Sequence, residues 1–167
     1  MQTGNFYYIT DEYYAKFKNC NLMGNKDEDE FGKHGRPCYY CFEQLGFYWM
    51  IPISSKVEKY KQLYDEKMER YKGRFDSIRF GYVNGQERAF LIQNMCPVTS
   101  KYIDSEYRIE NNTRPVTIDR TLASELNGII RKVLRYYNDR GIKIVLTDLD
   151  TILSDLSKDK CNKDTEN

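Results

Sequence analysis

Two adjacent hydroxyl side chains and a lysine, Ser54, Ser55 and Lys56, follow a predicted strand and precede a predicted helix. The N-terminus of a helix offers unpaired backbone N–H groups and a partial positive charge, which together bind anions such as phosphate. Ser55 also stands three residues before Glu58, the spacing of a capping box in which the hydroxyl bonds the helix backbone. A cap and a phosphate site can be the same place, so the pattern indicates either or both.

A second cation and the single histidine lie just ahead of the strand predicted at 37–43. Arg36 and Lys56 together would give a phosphate site two cations to offset charge on the pentacoordinate phosphate of RNA cleavage. Because His34 is the only histidine, a two-histidine acid–base scheme is excluded, and another residue must move at least one proton in such a reaction. In its polar loop, His34 is either a participant or an ordinary solvent-facing side chain.

Two other motifs point to chemistry that their surroundings do not support. The run from Asp148 to Thr151 is similar to the nucleophile motif of haloacid dehalogenases, but most of that doubly wound fold follows the motif and little of this chain does. Cys38 and Cys41 have a metal-ligand spacing, yet residues three apart on a strand point to opposite faces and would not converge on one ion. We therefore expect structural thiols, a helix start at the aspartates, and no metal or other cofactor.

The composition is that of an ordinary globular protein and leaves room for a local basic surface. Of the 167 residues, 40% are hydrophobic and 31% charged, and the net charge of +1 excludes a uniformly basic nucleic-acid binder. The segment 54–79 nevertheless carries eight basic and five acidic residues. The 15 tyrosines are suited to partly solvent-exposed positions at the edge of the core, or to stacking on the exposed bases of a nucleic acid.

The pattern favours a cytoplasmic protein that does not enter a membrane. The sequence contains no apolar run long enough for a membrane span and no apolar signal region at its start. The five cysteines are irregularly spaced, so we expect reduced thiols in the cytosol.

Periodicity predicts the elements that would position these side chains. Strands are predicted at 6–9, 37–43, 47–53, 75–83 and 88–94, the last continuing through 95–98, and helices at 10–17, 57–73, 116–137 and 147–157. Residues 19–35 are expected to be a flexible loop, 142–146 an apolar link and 158–167 a disordered tail. Strands before helices favour a single α+β domain over residues 1–157 with an antiparallel sheet.

Caps and turn residues define the ends of these elements. Thr10 and Thr147 are predicted N-caps of the first and last helices, and Thr117 or Asp119 caps the long helix that Gly141 ends. Hairpin turns are expected at 44–46 and 84–85.

Four short motifs in chain order resemble the RNA-cleaving toxins of type III toxin–antitoxin systems, which include the ToxN, AbiQ and CptN types. The motifs are Phe6-Tyr7 with Glu12-Tyr13, Arg36-Pro37, the turn Pro52-Ile53-Ser54-Ser55-Lys56, and Asn94-Met95-Cys96-Pro97-Val98. They span most of the chain and are most similar to the CptN type. The resemblance implies a compact, bent antiparallel sheet flanked by helices, similar in outline to the MazF group.

The resemblance also implies an activity. Such a toxin is a metal-independent, sequence-preferring endoribonuclease that leaves a 2′,3′-cyclic phosphate and a 5′-hydroxyl. Its partners would be substrate RNA and a repeated pseudoknot RNA antitoxin, which the toxin processes and which inhibits it in a closed toxin–RNA hetero-oligomer. These systems act in antiviral defence by abortive infection and in plasmid or chromosomal maintenance.

Carried onto this chain, the resemblance implies a set of site residues. The catalytic residues would be Ser54 and Ser55, which hold the phosphate oxygens, Lys56, which assists removal of the 2′ proton, Arg36, which offsets charge, and Tyr13, which orients the phosphate or a base. The RNA-binding residues would be His34, Lys59, Lys61 and Asn94.

The identity and role of the catalytic lysine stay open. The related turns often carry a proline before the lysine, whereas Lys56 follows Ser55 directly, so Lys59 is an alternative. Because lysine is protonated at neutral pH, it could act as a base, a proton donor or an electrostatic stabiliser.

Two other functions compete with the ribonuclease toxin. One is a non-catalytic RNA-binding module that uses the same basic turn and tyrosines. The other is a MazF-like toxin with a protein antitoxin.

Overall fold

The predicted elements occur in the predicted order, together with two short hairpins and one strand that the sequence pattern did not indicate. A computed structural model describes the backbone of residues 1–29, 32–73, 75, 77–141 and 143–164, and the side chains of these residues except 27–29, 32–34 and 160–164. In chain order the elements are β1 (Phe6–Ile9), α1 (Asp11–Lys16), β2 (Lys26–Asp29), β3 (Gly32–Gly35), β4 (Cys38–Gln44), β5 (Phe47–Ser54), α2 (Val57–Arg70), β6 (Arg79–Val83), β7 (Gln86–Phe90), β8 (Cys96–Val98), β9 (Ile103–Glu106), β10 (Arg108–Ile109), β11 (Arg114–Pro115), α3 (Arg120–Arg140) and α4 (Leu149–Asp164).

The strand that leads into the candidate site, β5, is the centre of the main sheet. The sheet has seven strands in the order β6-β7-β5-β4-β1-β9, and β8 pairs with β5 off this path. One edge of β5 pairs with β4. Its other edge pairs with β8 near Trp49 and with β7 at Ile53 and Ser54. The pairs are antiparallel, so the prediction of an α+β fold with an antiparallel sheet is confirmed.

Helices cover both faces of β4 and β5, which explains why these strands are hydrophobic throughout rather than alternating. The apolar stripe of α3 packs on the face that carries Trp49 and Ile51. The stripe consists of the six predicted residues, Leu122, Leu126, Ile129, Ile130, Val133 and Leu134, all buried. α1 and α4 cover the opposite face around Tyr40 and Met50. α2 closes a third cluster with Ala89 and Leu91, which fixes it beside the end of β5.

The loop predicted at 19–35 contains the antiparallel hairpin β2–β3, in which Asp27 pairs with His34. The prediction of an irregular loop is therefore wrong for residues 26–29 and 32–35. Both strands are short, charged or glycine-containing, and they offer no hydrophobic alternation for a pattern to detect.

The starts of two helices differ from the prediction. α3 begins at Arg120, capped by Asp119, whose carboxylate accepts from the N–H groups of Thr121 and Leu122. The predicted start at 116 is too early because the chain there is still extended, with Val116 N–H bonded to the Tyr107 carbonyl at 3.2 Å. Asp148 rather than Thr147 caps α4, since its carboxylate accepts from the Thr151 N–H.

The segment expected to be a disordered tail has helical backbone from residue 158 to Asp164. Asp159 contacts Lys16 of α1 at 2.8 Å, which ties this end of α4 to the body of the protein. Residues 165–167 lie outside the described residues. None of the helices in the described ranges is long and apolar enough to cross a membrane.

Candidate active site

The chain bends from β5 into α2 through three residues that differ sharply in exposure. Ser54 still pairs with Ala89 of β7 and is 1% exposed. Its Oγ accepts a hydrogen bond from the backbone N–H of Lys56 at 3.3 Å. Ser55 is half-buried and Lys56 is exposed. Ser54 therefore holds the turn from inside, while Ser55 and Lys56 are the members that a ligand can reach.

The first turn of α2 begins one residue later than the capping box requires. The N-cap position is Lys56, whose side chain makes no capping hydrogen bond. The prediction that Ser55 occupies the N-cap is wrong, because the bond from Val57 N–H to the Ser55 carbonyl at 2.8 Å keeps Ser55 in the turn before the helix. The lysine thus stands at the positive end of the helix macrodipole.

Arg36 lies directly behind this turn and is 4% exposed. Its guanidinium donates to three backbone carbonyls: Nη1 to Ile53 at 2.7 Å, Nε to Gly24 at 2.8 Å and Nη2 to Lys26 at 3.2 Å. A buried guanidinium requires such acceptors. Arg36 therefore joins the end of β5 to the chain before β2 and supplies a buried positive charge next to Ser54.

The segment before the β2–β3 hairpin packs on the first turns of α2. Tyr60 of α2 contacts the sulfur of Met23 with its hydroxyl at 3.9 Å. Since the Arg36 bonds hold Gly24 and Lys26 nearby, the β2–β3 hairpin begins beside the candidate site. The backbone of His34 belongs to β3, but its side chain, predicted to bind RNA, lies outside the described side chains.

Two lysines on α2 have different surroundings. Lys59 is exposed, with its ammonium 5.7 Å from the centre of the Tyr60 ring. Lys61 is bonded to Glu87 of β7 at 2.8 Å and lies 3.5 Å from Glu58. The hydrogen bond to Glu87 raises the pKa of Lys61. Lys59 is therefore the better placed of the two for an RNA contact, because Lys61 already neutralises carboxylates and anchors α2 to the sheet.

Tyr13, predicted to orient the phosphate, is fully buried at 0% exposure. Its hydroxyl donates to the carbonyl of Pro97 at 2.7 Å, and its ring packs on Tyr102 and Phe17. Burial raises the pKa of Tyr13 well above its ordinary value. In this conformation Tyr13 is a core residue without access to RNA.

The adjacent Tyr14 is a residue that the sequence reasoning missed. It is half-buried, and although burial raises the pKa of Tyr14, the positive charge of Arg36 acts in the opposite direction. The phenol therefore lies within electrostatic range of Arg36. Tyr13 and Tyr14 both pack in the core cluster under α1, Tyr13 fully buried and Tyr14 partly, and the sequence pattern cannot tell which of the two is buried more deeply.

Asn94, another predicted RNA ligand, lies in a short 3₁₀ turn at Ile92–Asn94 between β7 and β8. It is 8% exposed, and its N–H bonds the carbonyl of Leu91 at 2.9 Å. The structure thus makes it part of the connection between two strands that both pair with β5.

The alternative motifs have structural roles. Cys38 and Cys41 fall in different core clusters on the two faces of β4, and burial raises the pKa of Cys38 to about 12. Within the described residues, no group of three or more His, Cys, Asp or Glu side chains could hold a metal ion. Asp150 is bonded to Lys143 at 2.8 Å and to the Tyr137 hydroxyl, so this carboxylate lies in an ion pair.

Comparison with known proteins identifies the fold. No protein-family model and no curated protein matches the chain. A solved structure that does match is AbiQ, a lactococcal anti-phage endoribonuclease belonging to the type-III toxin-antitoxin system. The TM-score is 0.63 and the identity 15%, over 95% of this chain and 99% of AbiQ. The likeness does not single out the CptN type, which stays a prediction. The chain has the fold of AbiQ, and the predicted resemblance to ToxN/AbiQ-like toxins is confirmed at the level of fold.

Proposed function

We propose that this chain is an endoribonuclease toxin of a type III toxin–antitoxin system and that it cuts RNA at the Ser54–Lys56 turn. The observation that carries the proposal is the turn itself. It is a strand-to-helix junction that exposes Lys56 beside two hydroxyls, within a fold that matches AbiQ over 95% of the chain.

The proposed reaction is attack of a ribose 2′-hydroxyl on its own 3′-phosphate. The 2′-oxygen forms a bond to phosphorus, the bond to the 5′-oxygen breaks, and the products are a 2′,3′-cyclic phosphate and a 5′-hydroxyl. The 2′ proton is lost and the leaving 5′-oxygen gains one, so one acid and one base suffice. The reaction requires a ribose, which restricts it to RNA. It does not require a metal ion.

Each residue of the turn has a role that fits its surroundings. Lys56 acts on the reacting oxygens, either as the base or acid or by its charge. The Ser55 hydroxyl and the N-terminal end of α2 bind the non-bridging phosphate oxygens. Ser54 keeps the Lys56 backbone in place through the 3.3 Å bond. Arg36 stabilises the negative charge of the transition state from behind the turn and holds Ile53 in position.

The proposed partners are substrate RNA and a repeated pseudoknot RNA antitoxin that the toxin processes and that inhibits it in a closed assembly. The support is the fold of AbiQ, which belongs to a type-III system and acts against phage. Inspection of the DNA upstream of the gene tests this part. Tandem short repeats without a reading frame support an RNA antitoxin, whereas a small overlapping reading frame points to a protein antitoxin.

The decisive experiment uses purified protein freed of bound RNA, incubated with single-stranded RNA in EDTA, with analysis of the product ends. We expect 2′,3′-cyclic phosphate ends, and loss of cleavage in Lys56→Ala and Ser55→Ala variants whose unfolding curves match the parent. Lys158→Ala, which removes an exposed lysine on α4, is the control and should leave cleavage unchanged. Binding of RNA without cleavage would overturn the proposal in favour of a non-catalytic RNA-binding module.

A further inference from the structure

A cleft of about 690 Å³ opens at the far end of α2 from the Ser54–Lys56 turn. Its walls are formed by the last turn of α2, the residues that follow α2, helix α3, and the segment 143–146. The aromatic and basic side chains that line it are Lys67, Tyr71, Phe75, Lys132, Tyr136 and Lys143. Because α2 has 14 residues, the cleft lies about 20 Å along the helix from the turn.

The cleft continues the face of α2 that packs on the core. Tyr60, Leu63, Lys67 and Tyr71 recur at three- and four-residue spacing and therefore share one face. Tyr60 and Leu63 pack in the third core cluster. Lys67 and Tyr71 extend beyond that cluster and line the cleft instead.

The cleft exposes aromatic and apolar surface that the fold leaves open. Tyr71 is 48% exposed and Leu146 57% exposed, two of the five large hydrophobic side chains that stand out as exposed in the described part of the chain. The ring of Phe75 lies nearly parallel to that of Tyr71, at 11° and 6.3 Å between centres. This contact supports the Tyr71 ring from one side and leaves an aromatic platform of the kind on which nucleobases stack.

Positive charge surrounds this platform. Lys67, Lys132 and Lys143 line the cleft, and its described lining contains no carboxylate. The ammonium of Lys67 is 5.7 Å from the centre of the Tyr71 ring. Lys143 is also paired with Asp150 at 2.8 Å, so Lys67, beside the Tyr71 ring, is better placed than Lys143 to contact a phosphate.

We propose that this cleft binds single-stranded RNA, with a base stacked on Tyr71 and phosphates near Lys67 and Lys132. The inference rests on the proposed function, because the strand in the cleft is a segment of the same RNA that the turn cleaves, several nucleotides away from the cut. A purely apolar partner fits poorly, since it would take lysine ammonium groups of the lining out of water. Paired RNA also fits poorly, since its bases are not free to stack.

The test compares a long and a short unstructured RNA, both fully 2′-O-methylated so that neither can be cut by 2′-oxygen attack. The long RNA has about 16 nucleotides and the short RNA about 5, the range of ordinary single-strand sites. The variants are Tyr71→Ala and Lys67→Gln. The controls are Tyr82→Ala, which removes another exposed tyrosine (67% exposed), and Lys158→Gln on α4.

We expect Tyr71→Ala to weaken binding of the long RNA by about tenfold, the effect of one lost stacked base. The short RNA should lose less affinity, because a short RNA bound at the Ser54–Lys56 turn does not reach Tyr71. Lys67→Gln should lower the slope of log affinity against log salt by about 0.7, the value for one phosphate contact on a single strand. The inference is overturned if the variants bind the long RNA as their controls do.

Cleavage of an unmodified RNA separates this inference from the proposed function. If Tyr71→Ala loses affinity for the long RNA but the parent protein cuts nothing, the cleft is an RNA site and the cleavage proposal fails. If the parent protein cuts RNA but Tyr71→Ala binds the long RNA as the parent does, the cleft proposal fails alone.

Discussion

The guanidinium of Arg36 donates to the backbone carbonyl of Ile53 at 2.7 Å, immediately before the buried Ser54. The same side chain bonds the carbonyls of Gly24 and Lys26. One buried cation therefore fixes the end of β5 relative to the chain that leads into the β2–β3 hairpin. The geometry of the Ser54–Lys56 turn depends on a residue that lies 18 positions earlier in the sequence.

Replacing Arg36 should disturb the turn and the fold together. Arg36→Ala leaves three carbonyls without their donor and should lower the free energy of unfolding by about 3 kcal/mol or more. Arg36→Lys retains the charge but cannot reach three acceptors from one ammonium, so it should also be destabilised. Urea unfolding measures both effects. Parent-like stability of Arg36→Ala would contradict the positioning role.

The two serines of the turn should separate structure from catalysis. Ser54→Ala removes the acceptor for the Lys56 N–H and should cost about 1 kcal/mol of stability. Ser55→Ala should reduce the cleavage rate about 100-fold or more, as for loss of one transition-state donor, at a stability cost of no more than about 1 kcal/mol. Single-turnover cleavage and urea unfolding on the same preparations provide the comparison. Equal cleavage by Ser55→Ala and the parent protein would remove Ser55 from the mechanism.

Lys56 and Lys59 are a matched pair for locating the catalytic lysine. Lys56→Ala should lower the single-turnover rate at saturating RNA by about 100-fold or more, because Lys56 lies in the turn itself. Lys59→Ala, on the exposed first turn of α2, should weaken RNA binding and leave the saturated rate nearly unchanged. The reverse pattern would assign catalysis to Lys59.

The sequence predicted the parts of the fold that depend on local periodicity. The hydrophobic runs of β4 and β5 and the apolar stripe of α3 lie at the predicted positions, since burial on a strand or helix repeats along the chain. The charged β2–β3 hairpin was missed because its pairing leaves no such repeat. The candidate turn was predicted from its residue types, two hydroxyl side chains followed by a lysine.

The surroundings of the turn could not be predicted in the same way. The three carbonyl partners of Arg36 are brought together only by the folded chain, so no residue spacing in the sequence predicts them. The pattern likewise could not assign Tyr13 to the core and Tyr14 to the vicinity of Arg36. The orientation of α1 on the sheet decides that assignment.

Tyr13→Phe tests whether this tyrosine is structural. Removal of its hydroxyl leaves the Pro97 carbonyl unpaired in the core and should cost about 1 to 2 kcal/mol of stability, while cleavage by the folded fraction is retained. Tyr82→Phe is the control and should leave the stability unchanged because Tyr82 is 67% exposed. Loss of cleavage in Tyr13→Phe at full stability would indicate that Tyr13 reaches the RNA in another conformation.

The ion pair between Lys16 and Asp159 should make the packing of α4 sensitive to acid. The hydrogen bond from Lys16 holds the pKa of Asp159 below its ordinary value, and Lys101 and the Tyr102 hydroxyl act in the same direction. A carboxyl whose pKa is lower in the folded state stabilises the fold above the unfolded pKa of about 3.9 and loses that contribution as the pH falls through the folded pKa. Asp159→Asn should therefore lower the urea midpoint at about pH 7 and lower it less at about pH 2.

Asp139→Asn, a carboxylate on the exposed face of α3, is the matched control and should leave the midpoint unchanged at both pH values. Lys16 also contacts Asp155 at 2.9 Å, so the expected loss in Asp159→Asn is no more than about 1 kcal/mol. An Asp159→Asn midpoint equal to that of the parent at neutral pH would mean that the Lys16–Asp159 pair does not stabilise the fold.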